Sequence, residues 1–145
     1  MNTSKNVIGG LVQMSAAEEK NVSQNPDFVY VYGTEADDVL YGSLGRTVIY
    51  GRGGNDIVNG LSGLDMMYGG AGNDVYHINS GDDKVIENAN EGTDTIYSSV
   101  TYIAPTNVEN LTLTGDAKIN GSGNNSDNIL IGNDNINRLN SGRGN

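Results

Sequence analysis

The chain has 145 residues, among them 21 glycines, one phenylalanine, no tryptophan and no cysteine, and only 36% of it is hydrophobic. That composition excludes a broad core of bulky side chains, a disulfide framework and thiolate metal sites, and it favours a thin repetitive core backed by backbone pairing or bound ions. A formal net charge of −10 disfavours nucleic acid and anionic membrane surfaces as partners and favours cations.

Residues 1–32 lie ahead of any repeat and read as an N-terminal extension or cap. The opening MNTSKNVIGGLVQM holds a short apolar patch without the organisation of a signal peptide, so Sec-type export is not indicated. No apolar stretch in the chain reaches the length of a membrane span. Ser15 and Glu18 have the spacing of a capping box, which predicts a short helix over residues 16–21. Residues 28–32 read as a strand that caps the repeats beyond it.

From Gly33 the chain divides every nine residues into GTEADDVLY, GSLGRTVIY, GRGGNDIVN, GLSGLDMMY, GGAGNDVYH and INSGDDKVI. Glycine holds the first position in five of these six units and the fourth in five of six. Aspartate holds the sixth at Asp38, Asp56, Asp65, Asp74 and Asp83, with Thr47 the exception. The eighth is apolar throughout: Leu40, Ile49, Val58, Met67, Tyr76 and Val85. After a slip of two residues at Glu87 and Asn88, a seventh unit, ANEGTDTIY, keeps Gly92, Asp94 and Ile96 in the same columns.

Each column has a physical reason. Glycines at the first and fourth positions are expected to allow positive φ and a tight turn that aims carbonyl oxygens inward. Residues seven to nine make a short strand whose eighth side chain points into the core. The sixth-position carboxylate stands beside the carbonyls, and hard oxygen donors of both kinds suit Ca2+. Asx residues in glycine-rich turns often only close the turn, yet a stack of carboxylates one strand apart is different. Charges ~4.8 Å apart repel by roughly 3 kcal/mol at an effective dielectric near 20, and such a stack needs a counter-cation.

The spacing GG-x-G-x-D-x-U-x resembles the RTX family of secreted bacterial proteins, whose nonapeptide is a known calcium-binding repeat. GGAGNDVYH at residues 69–77 fits it at every defined position, with Tyr76 as the large apolar residue. The resemblance covers residues 33–145 apart from a divergent stretch. It implies an all-β fold, a right-handed parallel β-roll or β-solenoid in which two repeats make one eighteen-residue turn and calcium lies between turns stacked on the same edge. One edge would then carry Asp38, Asp56, Asp74 and, in the slipped unit, Asp94; the other would carry Thr47, Asp65 and Asp83. The family pattern of ligands implies one site from Thr34, Ala36, Asp38, Gly51, Gly53 and Asp56. A second is implied from Arg52, Gly54, Asp56, Gly69, Ala71 and Asp74. Thr47 weakens the first site of the other edge, and the Asp65–Asp83 site lacks glycine at Ile78.

Residues 98–120 leave the nonapeptide and read as a β-strand spacer, with Val100 and Tyr102 alternating in one strand, Leu111 and Leu113 in another, and Pro105 between them. Residues 121–145 return to the repeat in degenerate form as GNNSDNILI and GNDNINRLN, where Asn128 and Asn137 replace the aspartates and are expected only to close their turns. The final SGRGN stops one residue short of the next sixth position, which suggests a fragment or truncated array with an open, self-associating end.

Catalytic signals are absent. His77 is the one histidine, at an outward ninth position, and there is no nucleophile elbow or phosphate loop. Tyr41, Tyr50 and Tyr68, also at ninth positions, read as exposed residues that could form a stripe, and strand propensity explains them more cheaply than a sugar-binding platform. The expected function is a calcium-binding module, secreted or at the bacterial cell surface, that folds on Ca2+ after passing a type I secretion apparatus. Two alternatives remain at this level: a structural or adhesive surface module, and the C-terminal fragment of a secreted enzyme or cytolysin.

Overall fold

The computed structural model describes residues 7–8, 11–12 and 28–144. The helix expected over residues 16–21 lies outside the described residues. Those described are all-β, without a helix, and form a β-solenoid of about six turns.

Two faces run along the stack. The first is an eight-stranded sheet in the order β1 (Val7–Ile8), β2 (Leu11–Val12), β4 (Val39–Ser43), β6 (Ile57–Leu61), β8 (Val75–Ile78), β10 (Thr95–Ser98), β12 (Asn110–Leu113) and β14 (Ile129–Ile131). The second face is split. β3 (Val29–Tyr32), β5 (Thr47–Gly53), β7 (Met66–Ala71) and β9 (Lys84–Ile86) make one sheet, and β11 (Tyr102–Ile103), β13 (Gly121–Ser122) and β15 (Leu139–Asn140) make another. Every pairing is parallel except β1 with β2. From β3 onward, consecutive strands therefore alternate between faces, and each pairs with the strand one full turn away.

The register carries the repeat. Val39 pairs with Ile57, Ile57 with Val75, and Val48 with Met66, each eighteen residues on. Val75 then pairs with Thr95, twenty on, so the two-residue slip is absorbed between β8 and β10. The divergent residues 98–120 still stack: β12 pairs with β10 and β14, and β11 with β13. Parallel pairing needs only extended backbone and a matching inward residue, and Leu111 stands opposite Ile96 and Leu130 as the repeat would have it.

The eighth column makes the core. Leu40, Ile49, Val58, Met67, Tyr76 and Ile96 are fully buried and Val85 nearly so; each contributes about 1.5–3 kcal/mol of burial. Farther along, Leu130 packs partly buried against this core, whereas Leu139 is 43% exposed.

The glycine columns work differently from the sequence expectation. Positive φ occurs at the second position, in Arg52, Leu61 and Gly70, and at the fourth, in Gly54, Gly63 and Gly72. First-position glycines do not adopt it. At Gly33, Gly42 and Gly51 another turn crosses too close, since a Cβ on Gly51 would collide with the Gly69 carbonyl oxygen and with Asp56 Oδ2; at Gly60 and Gly69 the sixth-position carboxylate itself takes the space.

The tyrosine stripe also differs. Tyr50 stacks on Tyr68 and on Tyr32, with ring centroids 4.8 and 5.3 Å apart, and the Arg52 guanidinium lies 5.6 Å over the Tyr32 ring. Tyr50 and Tyr68 are half-buried by this stacking. Tyr41 lies on the opposite face beside Asn59, because ninth positions nine residues apart fall on alternate faces. His77 is exposed, its ring stacked on Tyr97.

Candidate metal centre

Turn loops at each edge bring the sixth-position side chains into single file. On the first edge the Asp38 amide donates to Asp56 Oδ1 (2.8 Å), Asp56 to Asp74 Oδ1 (2.7 Å), and Asp74 to Asp94 Oδ1 (2.8 Å). Glu109 takes the next rung, accepting from the Asp94 amide at 2.7 Å. On the second edge the Thr47 amide donates to Asp65 Oδ1 (2.8 Å) and the Asp65 amide to Asp83 Oδ1 (3.2 Å). An outer, exposed ladder of fifth-position residues runs the other way: Asn55 N donates to Asp37 Oδ1, Asn73 N to Asn55 Oδ1, and Thr93 N to Asn73 Oδ1.

All of the inner aspartates are buried: Asp56 and Asp74 are 0% exposed, Asp65 and Asp94 1%, Asp83 4% and Asp38 6%. One oxygen of each is used by the ladder or its loop. The second oxygen separates them. Asp38 Oδ2 accepts from the Thr34 amide (2.6 Å) and the Thr34 hydroxyl (2.8 Å), and Asp83 Oδ2 accepts from the Ser80 amide (3.2 Å). Asp56 Oδ2, Asp65 Oδ2 and Asp74 Oδ2 are buried with no hydrogen-bond partner among the described residues. A buried carboxylate oxygen in that condition is costly unless a cation faces it. Burial accordingly pushes the Asp74 carboxyl up to about 7 and those of Asp56, Asp65 and Asp94 up to about 6, with like-charged neighbours adding to the rise.

The donor set fits calcium. Asp56 Oδ2 and the Gly69 carbonyl oxygen converge on the bare Cα of Gly51, and Asp38 Oδ2 and the Gly51 carbonyl oxygen converge on that of Gly33. In each case a Cβ would fill the cradle between carboxylate and carbonyl. Carboxylate and carbonyl oxygens, with no nitrogen or sulfur among them, are the ligands of a hard cation.

The residues singled out in the sequence divide between the two edges. Thr34, Ala36, Asp38, Gly51, Arg52, Gly53, Gly54, Asp56, Gly69, Ala71 and Asp74 lie on the first edge; Asp65 and Asp83 lie on the second. The Thr34 carbonyl accepts from Gly53 N (3.3 Å) and the Ala71 carbonyl from Gly54 N (2.9 Å), each keeping a second lone pair. Ala36 N bonds the Thr34 hydroxyl at 3.2 Å. Thr47 closes its own loop: its hydroxyl oxygen accepts from the Ser43 amide at 3.0 Å, in the manner of a turn-closing residue.

Three residues of the site are not apparent from the sequence. Glu87, at the slip, is buried, and its carboxylate accepts from the Tyr76 hydroxyl. Burial pushes it up to about 8, against the pull of that hydrogen bond. Tyr76 reads in the repeat only as apolar bulk, and Glu109 sits fifteen residues from Asp94, outside the period. The available signal was Glu87 itself: a carboxylate where the frame puts glycine.

Among the described residues no helix is long and apolar enough to cross a membrane. No curated protein and no solved structure matches the chain. The family model of the RTX calcium-binding nonapeptide repeat (4 copies) matches residues 32–67 and again 50–85. The single-file aspartates, the glycine cradles and this match agree on residues 32–85, which belong to the RTX calcium-binding nonapeptide repeat family and form a calcium-binding repeat module.

Proposed function

We propose that this chain is a calcium-triggered folding module of an exported bacterial protein, with no catalytic role of its own. The observation that carries the reading is the set of unpartnered, buried oxygens on Asp56, Asp65 and Asp74. Carbonyls of Thr34, Ala36, Gly51 and Gly53 with the carboxylates of Asp38 and Asp56 would hold one ion. Carbonyls of Arg52, Gly54, Gly69 and Ala71 with Asp56 and Asp74 would hold a second, and Asp65 with Asp83 would serve the other edge. A bound ion supplies positive charge. The chain's own residues do the rest: glycines leave room, amides hold Oδ1, and the eighth column excludes water.

Coupling to folding follows from the balance of forces. The core is a thin layer between two faces, and without a cation several carboxylates must be desolvated together, so binding free energy becomes folding free energy. Export is supported by the family, which is typical of secreted bacterial proteins. A module of this kind stays unfolded where calcium is scarce, passes a type I secretion apparatus as an extended chain, and folds where calcium is abundant.

Far-UV circular dichroism tests the coupling. In EDTA the strand signal should be largely lost; millimolar Ca2+ should restore it and Mg2+ should not, because Mg2+ demands near-ideal octahedral geometry. An unchanged strand spectrum in EDTA would refute the reading.

A further inference from the structure

Between β9 and β10 the loop carries two extra residues and breaks the glycine pattern. Its outer part is held by the Asn88 amide and side chain on Glu91 Oε2 (3.0 and 2.9 Å), and by Gly72 N on the Glu91 carbonyl (2.7 Å). Asp94 keeps its rung despite the insertion. Glu87 stands at the first position, where preceding turns have glycine, and its side chain turns inward, 7% exposed. The Tyr76 hydroxyl donates to Glu87 Oε1, while Glu87 Oε2 and Asp74 Oδ2 have no partner among the described residues. One oxygen each of Asp74, Glu87 and Asp94 lies within 4.8 Å of the others. A Cβ on Gly69 would strike both Asp74 Oδ2 and the Tyr76 hydroxyl, so these two groups converge on one bare Cα.

We infer that Asp74, Glu87 and Asp94 form a distinct divalent-cation site, in which a third carboxylate stands where the ladder sites use a loop carbonyl and the Tyr76 hydroxyl holds that carboxylate in place. The inference rests on the calcium reading for the choice of ion, since the donors are all hard oxygen. Three carboxylates on one ion exceed the two of each ladder site, and affinity in oxygen cages rises with ligand charge. This is then the tightest calcium site of the chain. Its position also makes it a fastener, securing the turn where the register changes from eighteen to twenty residues, the one step in the repeat block at which the period alone does not align the strands.

The test uses the full chain, Ca2+ in calorimetry and Tb3+ as a luminescent substitute excited through tyrosine. Glu87→Gln, nearly isosteric, should weaken the tightest binding class by at least about tenfold, with the strand spectrum recovered at saturating Ca2+. Tyr76→Phe keeps every carboxylate and the buried ring, and should cut the sensitised emission of the first Tb3+ equivalent severalfold at unchanged stoichiometry. Unchanged affinity in Glu87→Gln, or full first-equivalent emission in Tyr76→Phe, would overturn the inference while leaving the ladder sites standing. A wild-type chain that bound no calcium would instead defeat the calcium reading itself.

Discussion

Asp56 and Asn128 occupy the same column of the same repeat and differ by one atom, yet they satisfy their surroundings in opposite ways. Asp56 Oδ1 accepts the Asp38 amide and its Oδ2 is buried without a partner among the described residues. Asn128 Oδ1 accepts the Asn124 amide (2.8 Å), and its Nδ2 donates to the carbonyls of Val108 (2.9 Å) and Glu109 (3.2 Å). Asn137 donates likewise, its Nδ2 reaching the Ile119 carbonyl (2.7 Å) and Asn133 Oδ1 (2.9 Å). An amide brings its own donor to the carbonyls of the neighbouring turn, whereas a carboxylate can only accept. The asparagine turns after Gly121 are therefore closed by the chain alone, whereas the turns of Asp56, Asp65 and Asp74 leave a buried oxygen for which a cation is the fitting partner. One frame supports two chemistries, and calcium dependence should be confined to the first.

The largest effect should come from the middle rung. On the proposed ligand sets Asp56 would be shared by two successive sites, while Asp38 would belong to one and already has its Oδ2 bonded by Thr34. Asp56→Ala should cost the calcium-bound fold about 3–5 kcal/mol, as removing one partner of a buried ionic cluster does. Asp38→Ala and Asp65→Ala should each cost less. Calcium titrations followed by circular dichroism give the ranking, and equal midpoints for all three would break the two-edge ladder. Exchanging the chemistry of the halves sharpens the contrast at smaller magnitude. Asn128→Asp removes two donors and leaves carbonyls facing a carboxylate, so thermal unfolding should show a loss of about 1–3 kcal/mol that calcium does not repair. Asp56→Asn should raise strand content in EDTA and blunt the response to calcium.

Smallest, and of known sign, is the effect of pH without calcium. Burial raises the carboxyls of Asp56, Asp65, Asp74 and Asp94 from 3.8 to about 6–7, and that of Glu87 from 4.5 to about 8. Within that window the folded chain holds more protons than the unfolded one, so stability falls as pH rises. In EDTA the residual strand signal should be larger at pH 5 than at pH 8. With calcium the trend reverses in part, because protons compete for the same oxygens and apparent affinity falls toward pH 5. A calcium-free spectrum indifferent to pH would mean that these carboxylates are not desolvated together.

The period, the core column and the slip were legible in the sequence because they are properties of spacing, and parallel stacking converts spacing directly into register. Less legible was whatever depends on the neighbour a full turn away. Nine-residue alignment sets Tyr41 beside Tyr50, but the eighteen-residue turn sets Tyr32 there instead. First-position glycines looked like turn formers, and Gly33, Gly42 and Gly51 prove to be clearance for a crossing carbonyl, a contact invisible until turns are stacked. Residues 98–120 read as a spacer because their loops differ, although Leu111 keeps the core column. Glu87 reads as part of an insertion because a carboxylate pointing into a core has no local signature; only Asp74, Asp94 and Tyr76 around it give it meaning.

The two ladders at the first edge give the stack a grain. Buried rungs are all held from the C-terminal side: the Asp38 amide by Asp56, that of Asp56 by Asp74, that of Asp74 by Asp94, that of Asp94 by Glu109. Amides held from the N-terminal side, in Asn55, Asn73 and Thr93, are on the exposed ladder, where water replaces a lost partner at little cost. Peeling a turn from the C-terminal end strips a buried amide of a charged acceptor, while peeling one from the N-terminal end strips a buried carboxylate of its amide donor and the exposed ladder of one rung. The first break leaves an orphaned amide and the second a bare carboxylate, and only the carboxylate can be compensated by a proton or a cation.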